Sequence, residues 1–192
     1  MTDYSKEMIA KAEIFAGKAH EGQMRKGGND VPYIAHPIAV ASILKANNAT
    51  TEAVLGGLLH DVVEDTPVTL KEIGDAFGLG VQNLVEYVTE EKTSNGERLP
   101  WRDRKVAYLE MIGKAPYDAV LIAAADKVAN ARDMVTDYQV IGEELWNMFN
   151  ADKENQFWYY TTLISIFEIR SIPPGMILEL KDALRILHNE YV

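Results

Sequence analysis

A chain of 192 residues fits one domain, or one domain with a small appendage, and can bury a substantial core without a disulfide or metal staple. Its 47% hydrophobic and 25% charged residues are a globular balance, and the net charge of -10 argues against the basic surface that nucleic-acid binding draws on, while a small anionic ligand stays open to a local group of cations. Cysteine is absent, which removes disulfides, thiolate zinc sites and cysteine nucleophiles together and leaves any metal to nitrogen and oxygen ligands.

The chain opens on "MTDYSKEMIAKAEIF", polar and amphipathic, without the basic and then apolar regions of a secretory signal. Tyr4, Met8, Ile9, Ala12, Phe15, Ala16 and Ala19 fall on one helical stripe. "RKGGNDVPY" is loop chemistry. A second helix is predicted from His36, with Pro37 suited to a first helical position, through "IAVASILKA". The third is predicted from an N-cap at Thr50 or Thr51 through His60 to about Asp65, where Pro67 stops it.

Thr69 and Glu72 have capping-box spacing for a short helix ending at Gly78, and "VQNLVEYVTEE" supplies another. "EKTSNGERLP" reads as a long exposed loop before the helix "WRDRKVAYLEMI". Pro116 precedes a long apolar helix, "YDAVLIAAADKVANARDMV", followed by "EELWNMF" and "DKENQFWYYTTLISIFEI". "SIPPG" then isolates the amphipathic "MILELKDALRILHNEY". The expectation is an all-α helical bundle of roughly eight to ten helices, one domain over 1–192, with 174–192 as its only appendage. The apolar runs fall well short of the ~20 residues a membrane span needs, so a soluble, cytoplasmic protein is expected, with neither nucleic acid nor membrane as partner. A homo-oligomer stays open to it.

"LLHDVVEDT" places ionisable groups in an otherwise apolar helix. Residues four apart share a helix face, so His60 aligns with Glu64 and Asp61 with Asp65. Among Leu58, Leu59, Val62 and Val63, unpaired charge would be costly, and a divalent cation resolves the cost. Imidazole and carboxylate suit manganese, iron or zinc. A second apolar helix runs into Asp126, with Asn130 one turn later, and His36 sits at a loop-to-helix junction. His36, His60, Asp61 and Asp126 would together make a site of two histidines and two aspartates. The plainer alternative is that each is hydrogen-bonded in the core or caps a neighbouring helix.

Arg25 and Lys26 are either an ordinary solvated basic pair or an anion-facing one in an acidic protein. His20 reads as a structural hydrogen-bonding residue, His188 as surface, and Phe157, Trp158, Tyr159 and Tyr160 as chiefly core. No phosphate-cradling P-loop, G-x-G-x-x-G or G-x-S-x-G is present, and "HDVVED" lacks the second histidine of H-E-x-x-H.

"AHEGQMRK", "PYIAHPIAVASIL", "LLHDVVEDTPVTLKEIGDAFG", "LVEYVTEEKT", "RKVAYLEMI" and "AADKVANARDM", in this order over roughly residues 4–160, resemble the HD-domain metal-dependent phosphohydrolases. The likeness is nearest to the hydrolase domain of the RelA/SpoT alarmone enzymes and their small stand-alone relatives. It implies one metal, usually manganese, on His36, His60, Asp61 and Asp126, and a catalytic acidic pair at Glu64 and Asp65. It also implies nucleotide contacts from Arg25, Lys26 and Asn130, and release of pyrophosphate from the 3′ position of guanosine tetra- or pentaphosphate.

Two departures bear on specificity. Ala129 stands where many relatives carry a bulky His or Tyr, and Lys153 and Phe157 fall roughly where small alarmone hydrolases place an Arg and a Tyr. The length leaves no room for the synthetase and regulatory domains of the long enzymes, so hydrolysis alone is expected. Another nucleotide or phosphate ester as substrate, and a non-catalytic nucleotide sensor, are the competing readings.

Overall fold

The computed structural model describes residues 3–25, 31–94 and 97–188. Helix α1 spans Asp3–Ala19, α2 Ala35–Ala46, α3 Thr51–Leu59, α4 Val62–Asp65, α5 Leu70–Phe77 and α6 Leu79–Val88. After a minimal ladder of β1 (Thr93–Ser94) and β2 (Glu97–Arg98) come α7 (Trp101–Lys114), α8 (Tyr117–Ile141), a 3-10 turn (Gly142–Met148), α9 (Lys153–Ile169) and α10 (Pro174–His188). The fold is all-α. The ladder pairs Thr93 with Arg98 and Ser94 with Glu97 inside the stretch expected to be an exposed loop. Among the described residues no helix is long and apolar enough to cross a membrane.

Contacts divide the chain into two compact units. The first holds the described residues up to Thr89 together with Ala115–Asp126; the second holds Glu90–Lys114 and the residues from Lys127 onward. In the first, α2 packs on α3, α1 and α6 on α3, and α5 on α6, around the fully buried Leu44, Leu58, Leu59, Ile73 and Ile122. In the second, α9 packs against α7 and α10 over Ile112, Leu163, Phe167 and Leu180. A buried ion pair there joins Arg104 to Glu90, and Lys105 shares the same carboxylate.

The caps form as their chemistry dictates. Thr50 Oγ1 accepts from Ala53 N at the start of α3, and Thr69 and Glu72 make a reciprocal capping box on α5. That short helix ends on Gly78, whose φ of 92° belongs to the left-handed region where a glycine carries no steric penalty.

Two findings differ from the periodic reading. The helix expected to run to Asp65 divides, with His60 and Asp61 in the turn between α3 and α4. The His60 ring takes the Gly57 carbonyl at 2.8 Å, the acceptor that would otherwise continue the helical ladder onto Asp61. Pro37 occupies the third position of α2 rather than the first, because Ala35 and His36 are already helical.

"GG" in "AVLGGLL" is a packing device. A Cβ on Gly57 would stand 2.4 Å from Leu44 Cδ1 and 3.3 Å from Val40 Cγ1, and one on Gly56 would stand 2.7 Å from Ile122 Cδ1. Gly57→Ala gains about 1 kcal/mol of helix propensity but forces a fully buried leucine to move, an overpacking cost of ~1–3 kcal/mol. The overlap dominates. A thermal melt should show Gly57→Ala with a Tm lowered by a few degrees; an unchanged or higher Tm would mean that α2 and α3 have slack between them.

Candidate metal centre

Separate segments of the first unit deliver the candidate ligands. His36 comes from the first turn of α2, His60 and Asp61 from the turn between α3 and α4, and Asp126 from α8. His36 and His60 are each 4% exposed and Asp126 7%. His36, His60 and Asp126 offer ligand atoms that all lie within 4.8 Å of one another.

Asp61 closes the arrangement. His60 Nε2 is 3.1 Å from Asp61 Oδ2 and 3.6 Å from Asp126 Oδ1. His36 Nε2 is 3.0 Å from Asp126 Oδ1 and 3.7 Å from Asp61 Oδ2. Two imidazole nitrogens and two carboxylate oxygens thus converge.

The chemistry of this donor set fits a divalent cation. The Gly57 carbonyl can only accept, so Nδ1 of His60 carries the donated hydrogen and Nε2 of the neutral ring presents its lone pair to the cluster. Anchoring one imidazole nitrogen on a backbone carbonyl while the other faces the ion is how metal-ligating histidines are oriented. His60 Nε2 is buried against the acceptor oxygens of Asp61 and Asp126, so in the neutral ring its lone pair meets no donor there, the condition a metal relieves.

Electrostatics point the same way. Burial acts to lower the pKa of His60, but the charge of Asp61 and hydrogen bonding to Asp126 and Asp61 carry it well above the ordinary histidine value. Burial acts to raise the pKa of Asp61, yet the charge and hydrogen bond of His60 hold it below the usual carboxylate range. A positive charge among these carboxylates is therefore strongly favoured. Proton and divalent cation compete for that place, so metal binding weakens as pH falls.

Glu64 and Asp65 lie in α4, Glu64 half-buried and Asp65 exposed. Tyr33 ties Asp65 to the cluster: its hydroxyl donates to Asp61 Oδ2 at 2.6 Å and lies 3.3 Å from Asp65 Oδ2. Burial first, then the charge and hydrogen bond of Asp61, raise the phenol pKa above its ordinary value, so Tyr33 stays a donor.

Arg25 sits beside this tyrosine, its guanidinium carbon 5.7 Å from the ring centroid. An isolated bridge between Met24 and Pro32 sets the two side by side. Lys26 lies outside the described residues. Asn130 follows Asp126 by one turn along α8, half-buried, and belongs to the second unit.

Tyr33, His20 and Gln23 were not identified as site residues from sequence. His20 is buried, its Nδ1 2.8 Å from Gln23 Oε1 and its ring 4.6 Å from that of Tyr33. Gln23 Nε2 in turn donates to the Asp65 carbonyl at 3.0 Å. The available signal was the tyrosine of "PYIAHP", three residues before His36.

Positions where the chain departs from its resemblance lie in the second unit. Ala129 is buried; Lys153 pairs with Glu143 at 2.8 Å over the Trp146 ring, and Phe157 packs on Trp146 and His188.

A family model described as HD domain matches residues 12–152. The chain is 43% identical over 129 residues to guanosine-3′,5′-bis(diphosphate) 3′-pyrophosphohydrolase MESH1 of Xenopus tropicalis, spanning 66% of this chain and 69% of that protein. It is 40% identical over 132 residues to the bifunctional (p)ppGpp synthase/hydrolase SpoT of Escherichia coli (strain K12), spanning 66% of this chain and 18% of that one. Among solved structures, a metazoan ortholog of SpoT that hydrolyzes ppGpp superposes with a TM-score of 0.74 at 27% identity, over 93% of this chain and 94% of the other. A protein of Listeria monocytogenes EGD-e superposes with a TM-score of 0.67 at 30% identity, over 81% of this chain and 98% of the other.

Proposed function

The chain belongs to the HD-domain family, and on that footing we propose that it is a metal-dependent phosphohydrolase acting on guanosine 3′,5′-bis(diphosphate) or its pentaphosphate. It hydrolyses the 3′ position and releases pyrophosphate. The observation that carries this reading is the convergence of the buried His36, His60 and Asp126 with the half-buried Asp61 in one cluster. The names of the relatives support the substrate. Family membership implies a divalent metal; manganese is the identity favoured here, with iron and zinc as the competing ions. We read 1–192 as one HD-type domain with 174–192 as an appendage, in a cytoplasmic protein whose partner is a small nucleotide.

When bound, the metal supplies a water of lowered pKa and polarises a phosphoryl oxygen. His36, His60, Asp61 and Asp126 would hold it. Glu64 and Asp65 orient the attacking water and take its proton as the new oxygen–phosphorus bond forms. The bond between phosphorus and the 3′ oxygen breaks, and that oxygen leaves with a proton returned from the same acidic pair. Arg25 and Lys26 offset the charge of a substrate that a chain of net charge -10 would otherwise repel. Asn130 hydrogen-bonds the nucleotide.

Arg25→Gln separates binding from chemistry. Loss of a charge-assisted contact to phosphate, ~1.5–3 kcal/mol, should raise KM roughly 10- to 100-fold with kcat nearly unchanged. Steady-state kinetics in which kcat falls and KM holds would place Arg25 in the chemical step instead.

A panel of phosphorylated nucleotides and phosphate esters, read by chromatography for pyrophosphate and orthophosphate, tests the substrate. Pyrophosphate from the guanosine 3′-diphosphates alone is the expected outcome. Release only from other esters would change the substrate. Nucleotide bound tightly but recovered intact with manganese, iron and zinc in turn would make the protein a sensor.

A further inference from the structure

We infer that Tyr33 is a positioning residue of the metal centre, its hydroxyl fixing the Asp61 oxygen that faces the histidines and aligning Asp65 beside it. The inference rests on the metal-centre reading above and adds a residue to it.

Asp61 Oδ2 is the atom on which three groups meet. Tyr33 donates to it at 2.6 Å, His60 Nε2 lies 3.1 Å away, and His36 Nε2 lies 3.7 Å away. A carboxylate oxygen has two lone pairs. With one engaged by the phenol, the other is left for the imidazole side of the cluster, where a cation would sit. The terminal torsion of an aspartate is soft. Without the phenol, Asp61 can rotate either oxygen, or both, toward the cation.

Tyr33 is itself held from several directions. Its ring lies against His20, with Arg25 at 5.7 Å, and its backbone N–H donates to the Gln23 carbonyl at 2.9 Å. Gln23 also binds the Asp65 carbonyl, so the loop that carries the tyrosine is tethered to the backbone of the residue it aligns. The hydroxyl reaches Asp65 Oδ2 at 3.3 Å, a weaker contact than that to Asp61. One phenolic proton cannot serve both carboxylates at full strength. The shorter contact assigns it to the ligand, and the longer one sets the distance between Asp61 and the catalytic carboxylate.

Tyr33→Phe removes the oxygen and keeps the ring, its stack on His20 and its face toward Arg25. Outer-layer partners of metal ligands typically contribute 10- to 100-fold to affinity. Competition with a chelator should therefore show the Mn2+ dissociation constant raised ~10- to 100-fold in this variant, with the helical circular dichroism unchanged. At saturating Mn2+, kcat should fall while KM holds, the split expected of a residue acting through Asp61 and Asp65.

His20→Phe serves as the control, since it disturbs the loop but leaves the hydroxyl; its loss of affinity should be several-fold smaller. Wild-type affinity in Tyr33→Phe, or an equal loss in His20→Phe, would overturn the inference. Wild-type protein that binds no Mn2+ would overturn the metal centre and Tyr33's role together. Wild-type protein that binds Mn2+ yet releases no pyrophosphate would remove the substrate reading alone, and the affinity comparison would still decide the role of Tyr33.

Discussion

His60→Ala is expected to abolish pyrophosphate release, with a loss of at least ~10³-fold, because a catalytic metal contributes several kcal/mol to the transition state and each 1.36 kcal/mol is tenfold in rate. His60 is 4% exposed and anchored through Nδ1 to Gly57, which fixes its Nε2 toward the cluster. The truncation also removes the imidazole that lies 3.1 Å from Asp61 Oδ2 and 3.6 Å from Asp126 Oδ1, and with it one donor to the cation. Without the cation the Asp61 and Asp126 carboxylates disfavour each other's charge, one of them gains a proton, and the remaining site binds cations poorly. Metal content after dialysis, measured beside turnover and circular dichroism, should show a folded protein that has lost both manganese and activity. A variant that keeps its metal and turns over normally would remove His60 from the site.

Asp65→Asn is expected to lower kcat by ~10²–10⁴-fold, the usual contribution of a positioned general acid or base, while manganese remains bound. Asparagine keeps the shape and a hydrogen-bonding oxygen but cannot accept a proton at neutral pH. Asp65 is exposed and Glu64 half-buried, so the more accessible carboxylate can exchange protons with solvent between turnovers. Glu64→Gln should fall in the same range if the pair shares the proton. Single-turnover rates beside metal content distinguish this outcome from ligand loss: a full rate in Asp65→Asn would leave Glu64 as the only acidic group in the step, and loss of metal would make Asp65 a ligand.

Features written in local chemistry were legible in the sequence. Thr69 and Glu72 announce α5 because the cap is built from residues three apart. Asp126 stands out because it ends the apolar run of Ala119–Ala125, His60 and Asp61 because they interrupt another apolar run, and His36 because it sits where a loop meets a helix; the structure brings all of them together.

What escaped depends on contacts between distant segments or on side chains competing with the backbone. Periodicity cannot see the His60 ring capturing the Gly57 carbonyl, so it ran one helix through the break between α3 and α4. It cannot single out Tyr33, whose partners Asp61 and Asp65 are 28 and 32 residues away and whose type suits an ordinary core position equally well. Asn95-Gly96, outside the described residues, is the strongest short-range hairpin signal, yet it stands between runs too polar and too short to read as strands.

The central claim is tested most directly by incubating the purified protein with guanosine 3′,5′-bis(diphosphate) and manganese and following the phosphorus resonances of the mixture. One pyrophosphate and one guanosine 5′-diphosphate should appear per nucleotide consumed, should cease on chelation, and should resume when manganese is restored. A manganese-replete, folded protein that leaves the nucleotide intact, or that releases orthophosphate in place of pyrophosphate, would contradict it.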